Sequence, residues 1–292
     1  MKLLITLVMC ACAAGAAPIR VMLLDGESAG TYHAWRETTP VLKAELEQSG
    51  LFQVDVVSAP PSSGDFSNFK PDFAKYAVVV SNLDSANWPA DLEASFEQYV
   101  KNGGGFVSVH AADNAFPNWV AYNEMIGVGG WRGRRQAAGP HWFYKDGKME
   151  ADSSPGMAGS HGQRLPFKIT IRDTEHPVTK GLPPVFMHAG DELYANLRGP
   201  GTNMDVLGTA YSDPANSGTG KDEPILMALS FGKGRVFHTT MGHDIPALSC
   251  VGFIVTLQRG TEWAATGKVT QKVPEDFPTA DAVKVRTVAA SK

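Results

Sequence analysis

Four histidines in the sequence occupy positions where they could do chemistry together: His33, His110, His141 and His243. His110 directly follows the apolar run 106–109, which predicts a buried strand, and in open α/β sheets ligands bind at the carboxyl ends of strands. Imidazoles that converge there bind zinc or a similar metal, or serve as general acid and base near neutral pH. The spacing matches no short metal motif, and a single loop histidine is usually solvated. The prediction therefore depends on the fold bringing the four together.

Aspartates share the predicted strand ends and could orient the imidazoles or act as acids and bases themselves. They are Asp25, Asp84, Asp113 and Asp244. Capping of helix N-termini is the alternative role, and it is favoured for Asp113. We predict the catalytic residues to be His110, His243, Asp244 and Asp113. If the site holds a divalent metal such as zinc or manganese, its predicted ligands are His33, His110 and His243.

The segment 116–162 is rich in glycine, tryptophan, arginine and histidine, and it breaks the strand–helix pattern. A long irregular segment inside a compact domain is usually functional, so we predict an excursion over the site. Arginine forks bind carboxylates or phosphates, and tryptophan faces stack on sugar rings. A solvated basic loop packed by core tryptophans is the alternative. The pair Asp191–Glu192 with Tyr194 could line the site or form an exposed turn. The predicted substrate-binding residues are His33, Trp35, Trp131, Arg132, His141, Trp142, Asp191 and Tyr194.

Several kinds of site are disfavoured by the sequence. Cys250 lies in an apolar segment that predicts a closing helix, and Ser108 has no G-x-S-x-G frame, so neither residue is expected to be a nucleophile. The three glycines 103–105 precede a strand instead of following one, and so no nucleotide cofactor is predicted. A net charge of −4 gives no reason to expect nucleic acid as a partner. A small carbohydrate is the expected partner, and a homo-oligomer is left open.

Residues 1–17 predict a secretory signal, because one lysine and an apolar run precede an A-x-A arrangement at Ala14 and Ala16. The protein is therefore expected to be exported to the periplasm or beyond the cell. A lipoprotein signal using Cys10 or Cys12, or a hydrophobic first strand, are the alternatives. Cys250 alone would remain after cleavage and could form no internal disulfide.

The remaining chain predicts one α/β domain over residues 18–268 and a C-terminal tail over 269–292. Apolar runs at 19–24, 76–80 and 106–110 indicate buried parallel strands, with helices at about 38–49, 90–100 and 246–264. Residues 52–57 predict a second strand parallel to the first. The turn Gly232–Gly234 between two strands predicts an antiparallel hairpin at the edge of the sheet.

Five segments, in this order, resemble the ThuA-like (trehalose utilisation) family. They are YHAWRETTPVLKAELE, GGGFVSVHAADNAF, EHPVTKGLP, DELY and FGKGRVFHTTMGHD, and the likeness spans about Ile19 to Ala265. The resemblance implies the fold of class I glutamine amidotransferases, a flavodoxin-like three-layer α/β/α sandwich with a mainly parallel sheet and antiparallel edge strands. Those enzymes carry a cysteine at a sharp strand-to-helix turn, where this chain has His110. Glutaminase activity is therefore not expected.

Family members are tied to the metabolism of trehalose and of oxidised glycosides. The resemblance implies a protein that processes a glycoside or keto-sugar, as a hydrolase, lyase or isomerase and with or without a metal; its export is expected from the signal sequence alone. A non-catalytic sugar-binding module is the alternative, with Trp131 and Trp142 as its platform. A structural module of a surface complex is a third and weaker interpretation.

Overall fold

The computed structural model describes residues 17–287, so the predicted signal sequence lies outside the described residues except for Ala17. The strands are β1 (Ile19–Asp25), β2 (Phe52–Ser58), β3 (Val78–Ser81), β4 (Gly105–Val109), β5 (His141–Lys145), β6 (Lys148–Asp152), β7 (Leu165–Ile171), β8 (Val185–Asp191), β9 (Met204–Tyr211), β10 (Asp222–Phe231) and β11 (Gly234–Thr239). The α-helices are α1 (Trp35–Glu47), α2 (Ala90–Lys101), α3 (Val120–Ile126), α4 (Ile245–Leu248) and α5 (Val251–Thr266). Within the described range, no helix is long and apolar enough to cross a membrane.

One mixed sheet organises the molecule, and its strands run in the order β2-β1-β3-β4-β11-β10-β9-β7-β8. The pairs from β2 to β11 are parallel, and those from β11 to β8 are antiparallel. The hairpin β5–β6 joins the sheet through one pair, Tyr144 with Asp222 of β10. The chain is therefore a mixed α/β protein, as predicted, with a larger antiparallel part than predicted.

Alternate residues of the buried strands face two separate hydrophobic clusters. Val21 and Leu23 of β1 pack in the cluster that includes α1 and α5. Met22 and Leu24 pack in the cluster that includes α2 and α3. Because side chains alternate along a strand, continuous apolar runs such as 78–80 bury both faces, and the parallel strands are covered on both sides.

Two details of the sheet differ from the sequence prediction. The hairpin at Gly232–Gly234 forms, but β11 pairs with β4 on its other side, so the hairpin lies in the middle of the sheet and not at its edge. Residues 141–152, predicted as irregular, form the hairpin β5–β6. Hairpin turns are local signals, whereas the neighbour of each strand depends on contacts distant in sequence, which a single sequence does not display.

The described part of the predicted tail, residues 269–287, packs against the domain. The Phe277 ring lies 5.0 Å from the Phe186 ring of β8. The Met187 amide donates to the Thr279 carbonyl at 2.8 Å, and the Arg286 amide donates to the Ser249 carbonyl at 2.9 Å. This segment lacks periodicity because it is held by single contacts and not by a regular element.

Candidate active site: a histidine–glutamate cluster

The site lies at the edge of the sheet where the parallel strands end. The loop after β1 carries His33, β4 ends directly before His110, and His243 follows β11. Glu192 follows β8 of the antiparallel part. The centroids of the three imidazole rings are 5.1 to 5.4 Å apart in each pair. The topology therefore brings together four side chains that are far apart in sequence, at the place where α/β sheets bind ligands.

His110 is held in one orientation by its backbone and by one hydrogen bond. It has a left-handed backbone, with φ of 46°, at the turn from β4 into the short 3₁₀ helix His110–Asn114. Its Nδ1 lies 2.7 Å from the Thr240 carbonyl, which can only accept, so Nδ1 carries the proton. In the neutral ring the Nε2 atom is then a lone-pair acceptor, and it is buried without a well-aligned hydrogen bond to any described residue.

His33 and His243 each have a buried Nδ1 that makes no well-aligned hydrogen bond to the residues that the structure describes. The other nitrogen of His33, Nε2, lies 3.2 Å from the Tyr194 hydroxyl. Burial and the neighbouring rings of His110 and His243 lower the pKa of His33 to about 3, so this ring is neutral near pH 7. A neutral imidazole with a free nitrogen is the form that binds a metal.

Glu192 supplies the negative charge of the cluster. Its Oε2 lies 3.1 Å from His243 Nδ1 and 3.7 Å from His110 Nε2. Burial opposes ionisation of Glu192, but His110 and His243 outweigh it and hold the pKa of the carboxyl well below its usual value. One potential ligand atom from each of the four residues lies within 4.8 Å of the others. Three imidazole nitrogens and one carboxylate form a donor set typical of zinc and similar divalent metals.

A buried carboxylate behind the cluster fixes two of these ligands relative to each other. Asp191 accepts hydrogen bonds from the amides of Glu192 and Gly242 at 2.8 Å and from that of His243 at 3.1 Å. It also contacts Nε2 of His188 at 2.9 Å, and both side chains are fully buried. Asp191 therefore joins the end of β8 to the loop after β11, and it sets the separation of Glu192 and His243.

A pocket of about 480 Å³ opens above the cluster, within the size range of small-molecule sites. Trp131 and Tyr194 form an aromatic wall, with ring centroids 4.5 Å apart. Arg132 reaches Asp84 in the same pocket, with Nε 2.5 Å from Oδ1. The lining residues are Ala29, Tyr32, His33, Asp84, Asn114, Trp131, Arg132, His161, Glu192, Tyr194 and His243.

The family model described as "ThuA: Trehalose utilisation" matches residues 20–264. The chain belongs to the ThuA family. It is similar to the crystal structure of a ThuA-like protein from Parabacteroides merdae, with 46% identity and a TM-score of 0.89 over 92% of this chain and 98% of that one. A ThuA-like protein from Bacteroides uniformis has the same fold at 22% identity, with a TM-score of 0.58 over 87% of this chain and 94% of that one.

A curated relative matches only part of this ThuA-family chain. "Protein Y" of Streptomyces griseus is 33% identical over 79 residues, which are 27% of this chain and 26% of the relative. The chain thus spans about a quarter of that relative's length.

Six of the residues predicted from sequence meet at the pocket of this ThuA-family protein. His110 belongs to the cluster at the base of the pocket, and the other five line the cavity: His33, Trp131, Arg132, Tyr194 and His243.

Six others lie elsewhere. His141 is buried against Glu223 at 2.9 Å, Trp142 donates to the Gly199 carbonyl, and Trp35 carries the Arg36 guanidinium over its ring. Asp113 is fully buried beside His238, and Asp244 caps α4 and pairs with Arg164. Asp191 is the buried carboxylate behind the cluster. None of these six residues lines the cavity.

The pocket also contains polar residues outside the predicted set, namely Glu192, Asp84, Asn114 and His161. Asp191 and Glu192 are adjacent, and the sequence assignment chose Asp191. At the end of β8 neighbouring side chains point in opposite directions, so Asp191 faces the core and Glu192 faces the cavity. Asp84 follows β3 just as His110 follows β4, and this position identifies it in the sequence as a candidate at a strand end, although it is not among the residues assigned to the site.

Proposed function

We propose that this ThuA-family protein is a carbohydrate-active enzyme whose cluster of His33, His110, His243 and Glu192 holds a divalent metal. The observation that carries the proposal is the convergence of three buried imidazoles with one carboxylate, in which three ring nitrogens make no well-aligned hydrogen bond to any described residue. A buried polar atom without a partner destabilises a fold by about 1–3 kcal/mol. Three in one place are best explained by a shared ligand. The family description supports a role in carbohydrate use.

The residues around the cluster fit that ligand. The Thr240 carbonyl directs the lone pair of His110 Nε2 into the cluster, and the Tyr194 hydroxyl can accept the Nε2 proton of His33. Such contacts hold the tautomer of a metal-binding histidine. When bound, a divalent metal would polarise a sugar carbonyl or a pair of hydroxyls.

The chain's own residues would bind and orient the sugar. Trp131, supported by the buried Tyr194 ring, would present an aromatic face to a sugar ring, and Asn114 and His161 offer polar groups at the same cavity. We propose a glycoside or keto-sugar as the substrate. The resemblance to glutamine amidotransferases implies a cysteine at the sharp strand-to-helix turn, and His110 occupies that turn here with a φ of 46°; this supports the proposal that glutaminase activity is absent. Cys250 is buried at the start of α5.

The metal content of the purified protein, measured by elemental mass spectrometry, tests the proposal. The wild type should carry about one metal ion per chain after incubation with zinc or manganese. His110→Ala and Glu192→Gln should lose it, and His176→Ala should retain it, because His176 lies against Trp263 away from the cluster. A wild type that binds neither ion would refute the metal site, and two histidines exchanging protons would then be the remaining acid–base chemistry.

A non-catalytic sugar-binding module is the second candidate, and the aromatic wall of Trp131 and Tyr194 favours it. Screening glycosides and keto-glycosides for turnover distinguishes the two. His110→Ala should abolish turnover and keep much of the sugar affinity if the protein is an enzyme. A wild type that binds sugars without converting any of them would favour the module.

Two further proposals concern fold type and location. The parallel order β2-β1-β3-β4-β11, with hydrophobic clusters on both faces, supports the flavodoxin-like sandwich that the resemblance implies. Export is proposed from the N-terminal sequence, and mass spectrometry of the mature protein in the producing cell tests it. A mature chain that begins near Pro18 would support cleavage, and an intact Met1 or Lys2 would contradict it.

A further inference from the structure

A second charged pair lies in the pocket, outside the cluster. Asp84, 1% exposed, follows β3, and its Oδ1 accepts from Arg132 Nε at 2.5 Å. Arg132 Nη2 donates to the Asp84 backbone carbonyl at 2.9 Å. Both residues line the cavity. The hydrogen bond from Arg132 reaches only Oδ1, which leaves Oδ2 for a ligand.

The backbone that presents Arg132 is strained. Trp131 and Arg132 have φ of 50° and 44°, in the left-handed region that non-glycine residues rarely adopt, and Gly133 follows at 77°. Strain of this kind persists where surrounding structure enforces it, often at functional sites. Arg134 supplies that support, since its buried guanidinium donates to the Asn114 and Gly130 carbonyls at 2.7 and 2.8 Å. The turn keeps Trp131 on the cavity and Arg132 on Asp84.

We infer that Asp84 and Arg132 bind adjacent hydroxyl groups of a neutral sugar whose apolar ring face lies on Trp131. This rests on the proposed carbohydrate function. A hydroxyl both donates and accepts, so one hydroxyl donates to the Asp84 carboxylate while its neighbour accepts from a guanidinium N–H that Asp84 does not use. An ion pair beside an indole matches a pyranose, which has an apolar face and equatorial hydroxyls at its edge.

The charges of the pocket favour a neutral ligand over an anionic one. Arg132 is the one arginine or lysine among the described residues that line the cavity, and its charge is compensated by Asp84. At the Asp84–Arg132 end of the pocket, a phosphate or carboxylate on the sugar would meet the Asp84 carboxylate without an uncompensated guanidinium to bind it, and like charges in a partly desolvated site repel.

Calorimetric titration tests this inference with named probes. Methyl α-glucoside, trehalose and maltose are compared with trehalose 6-phosphate and glucuronate. At least one neutral sugar should bind the wild type, at least tenfold more tightly than either anionic probe. Asp84→Asn and Arg132→Lys should each weaken the binding of that neutral sugar at least tenfold. Asp55→Asn is the matched control, because it disrupts the Arg20–Asp55 pair on the surface. No binding of any neutral probe, tighter binding of an anionic one, or unchanged affinity in both variants would overturn the inference.

Metal content, measured on the same samples, separates this inference from the proposed metal site. Asp84→Asn and Arg132→Lys should keep the wild-type metal content and a wild-type melting temperature within a few degrees. If the wild type binds sugar through Asp84 but holds no metal, the metal site is refuted and this inference stands. If the metal is present and both variants bind sugar normally, this inference is refuted and the metal site stands. If Asp84→Asn does not fold, the sugar affinity and metal content of Arg132→Lys decide between these outcomes.

Discussion

Replacing Asp191 by asparagine should destabilise the protein strongly, although the side chain keeps its shape. Asp191 accepts from three backbone amides and contacts His188 Nε2, all without exposure to solvent. An asparagine side chain has only one acceptor oxygen. Its NH₂ group would therefore face N–H donors that the second Asp191 oxygen accepts from in the wild type. Removing one partner of a buried charged pair costs about 3–5 kcal/mol of folding free energy.

The pKa of His188 gives a second measure of the same interaction. Burial opposes the charged form of His188, but the hydrogen bond to Asp191 and the charges of Cys250 and Asp191 outweigh it and raise the pKa from 6.5 to about 9. The net difference, to which Cys250 contributes as well as Asp191, corresponds to about 3 kcal/mol. Because the folded state holds the His188 proton more tightly than the unfolded state, protonated His188 contributes its full stabilisation below pH 6.5. This stabilisation is lost as pH rises through about 9.

Urea denaturation in the presence of a chelator measures the effect without a contribution from bound metal. At pH 7 the unfolding free energy of Asp191→Asn should fall by about 3–5 kcal/mol, and its decline toward pH 9 should be shallower than that of the wild type. Asp213→Asn is the control, because Asp213 caps an exposed 3₁₀ turn, Pro214–Asn216, and should change stability by about 1 kcal/mol or less.

A double-mutant cycle with His188→Gln gives the decisive result. The two substitutions should be strongly non-additive, since each removes the same interaction. Additivity within about 0.5 kcal/mol would refute the argument that Asp191 acts through His188. Loss of metal from Asp191→Asn, in a sample that is still folded by circular dichroism, would further support its role in placing Glu192 and His243.

Three other predictions concern the scaffold. Glu45→Met should raise the unfolding free energy by about 1–3 kcal/mol, because both carboxylate oxygens are buried without a hydrogen-bond partner among the described residues, and burial raises the pKa of Glu45 well above its usual value. The gain in a urea titration should grow as pH rises from the usual carboxyl pKa to the raised one and then level off, and a loss of stability would contradict it. Arg134→Met should lower the melting temperature, with a loss of about 3 kcal/mol or more in unfolding free energy. The reason is that the Asn114, Ala115 and Gly130 carbonyls lose their hydrogen-bond donor. An unchanged melting temperature would show that these hydrogen bonds are not needed for stability. Truncation after residue 272 should destabilise the domain by several kcal/mol, because the buried Phe277 ring is lost. Calorimetry measures this effect, and an unchanged melting temperature would show that the C-terminal segment does not stabilise the domain.

Much of the parallel half of the sheet could be predicted from the sequence. The runs at 19–24 and 106–109 are short, apolar and followed by polar residues, and they form β1 and β4 as expected. The antiparallel half was less predictable. Its strands pair through contacts that are distant in sequence. The register between β9 and β10 shifts near Leu226, and the alternation of side chains along a regular strand does not predict such a shift. The helix predicted from about Thr38 starts at Trp35, because the Ala34 carbonyl accepts from the Glu37 and Thr38 amides before Pro40.

The sequence by itself determined the residue types of the site and the strand ends that carry three of them. His33, His110 and His243 were identifiable because a parallel sheet must bring its carboxyl ends to one edge. Tertiary structure alone decided that Glu192 and not Asp191 joins them, that Asp84 meets Arg132, and that His141 turns away to Glu223. These outcomes depend on which way one side chain points at the end of a strand and on which strands become neighbours. Both are set by packing across the whole chain, which local patterns do not encode.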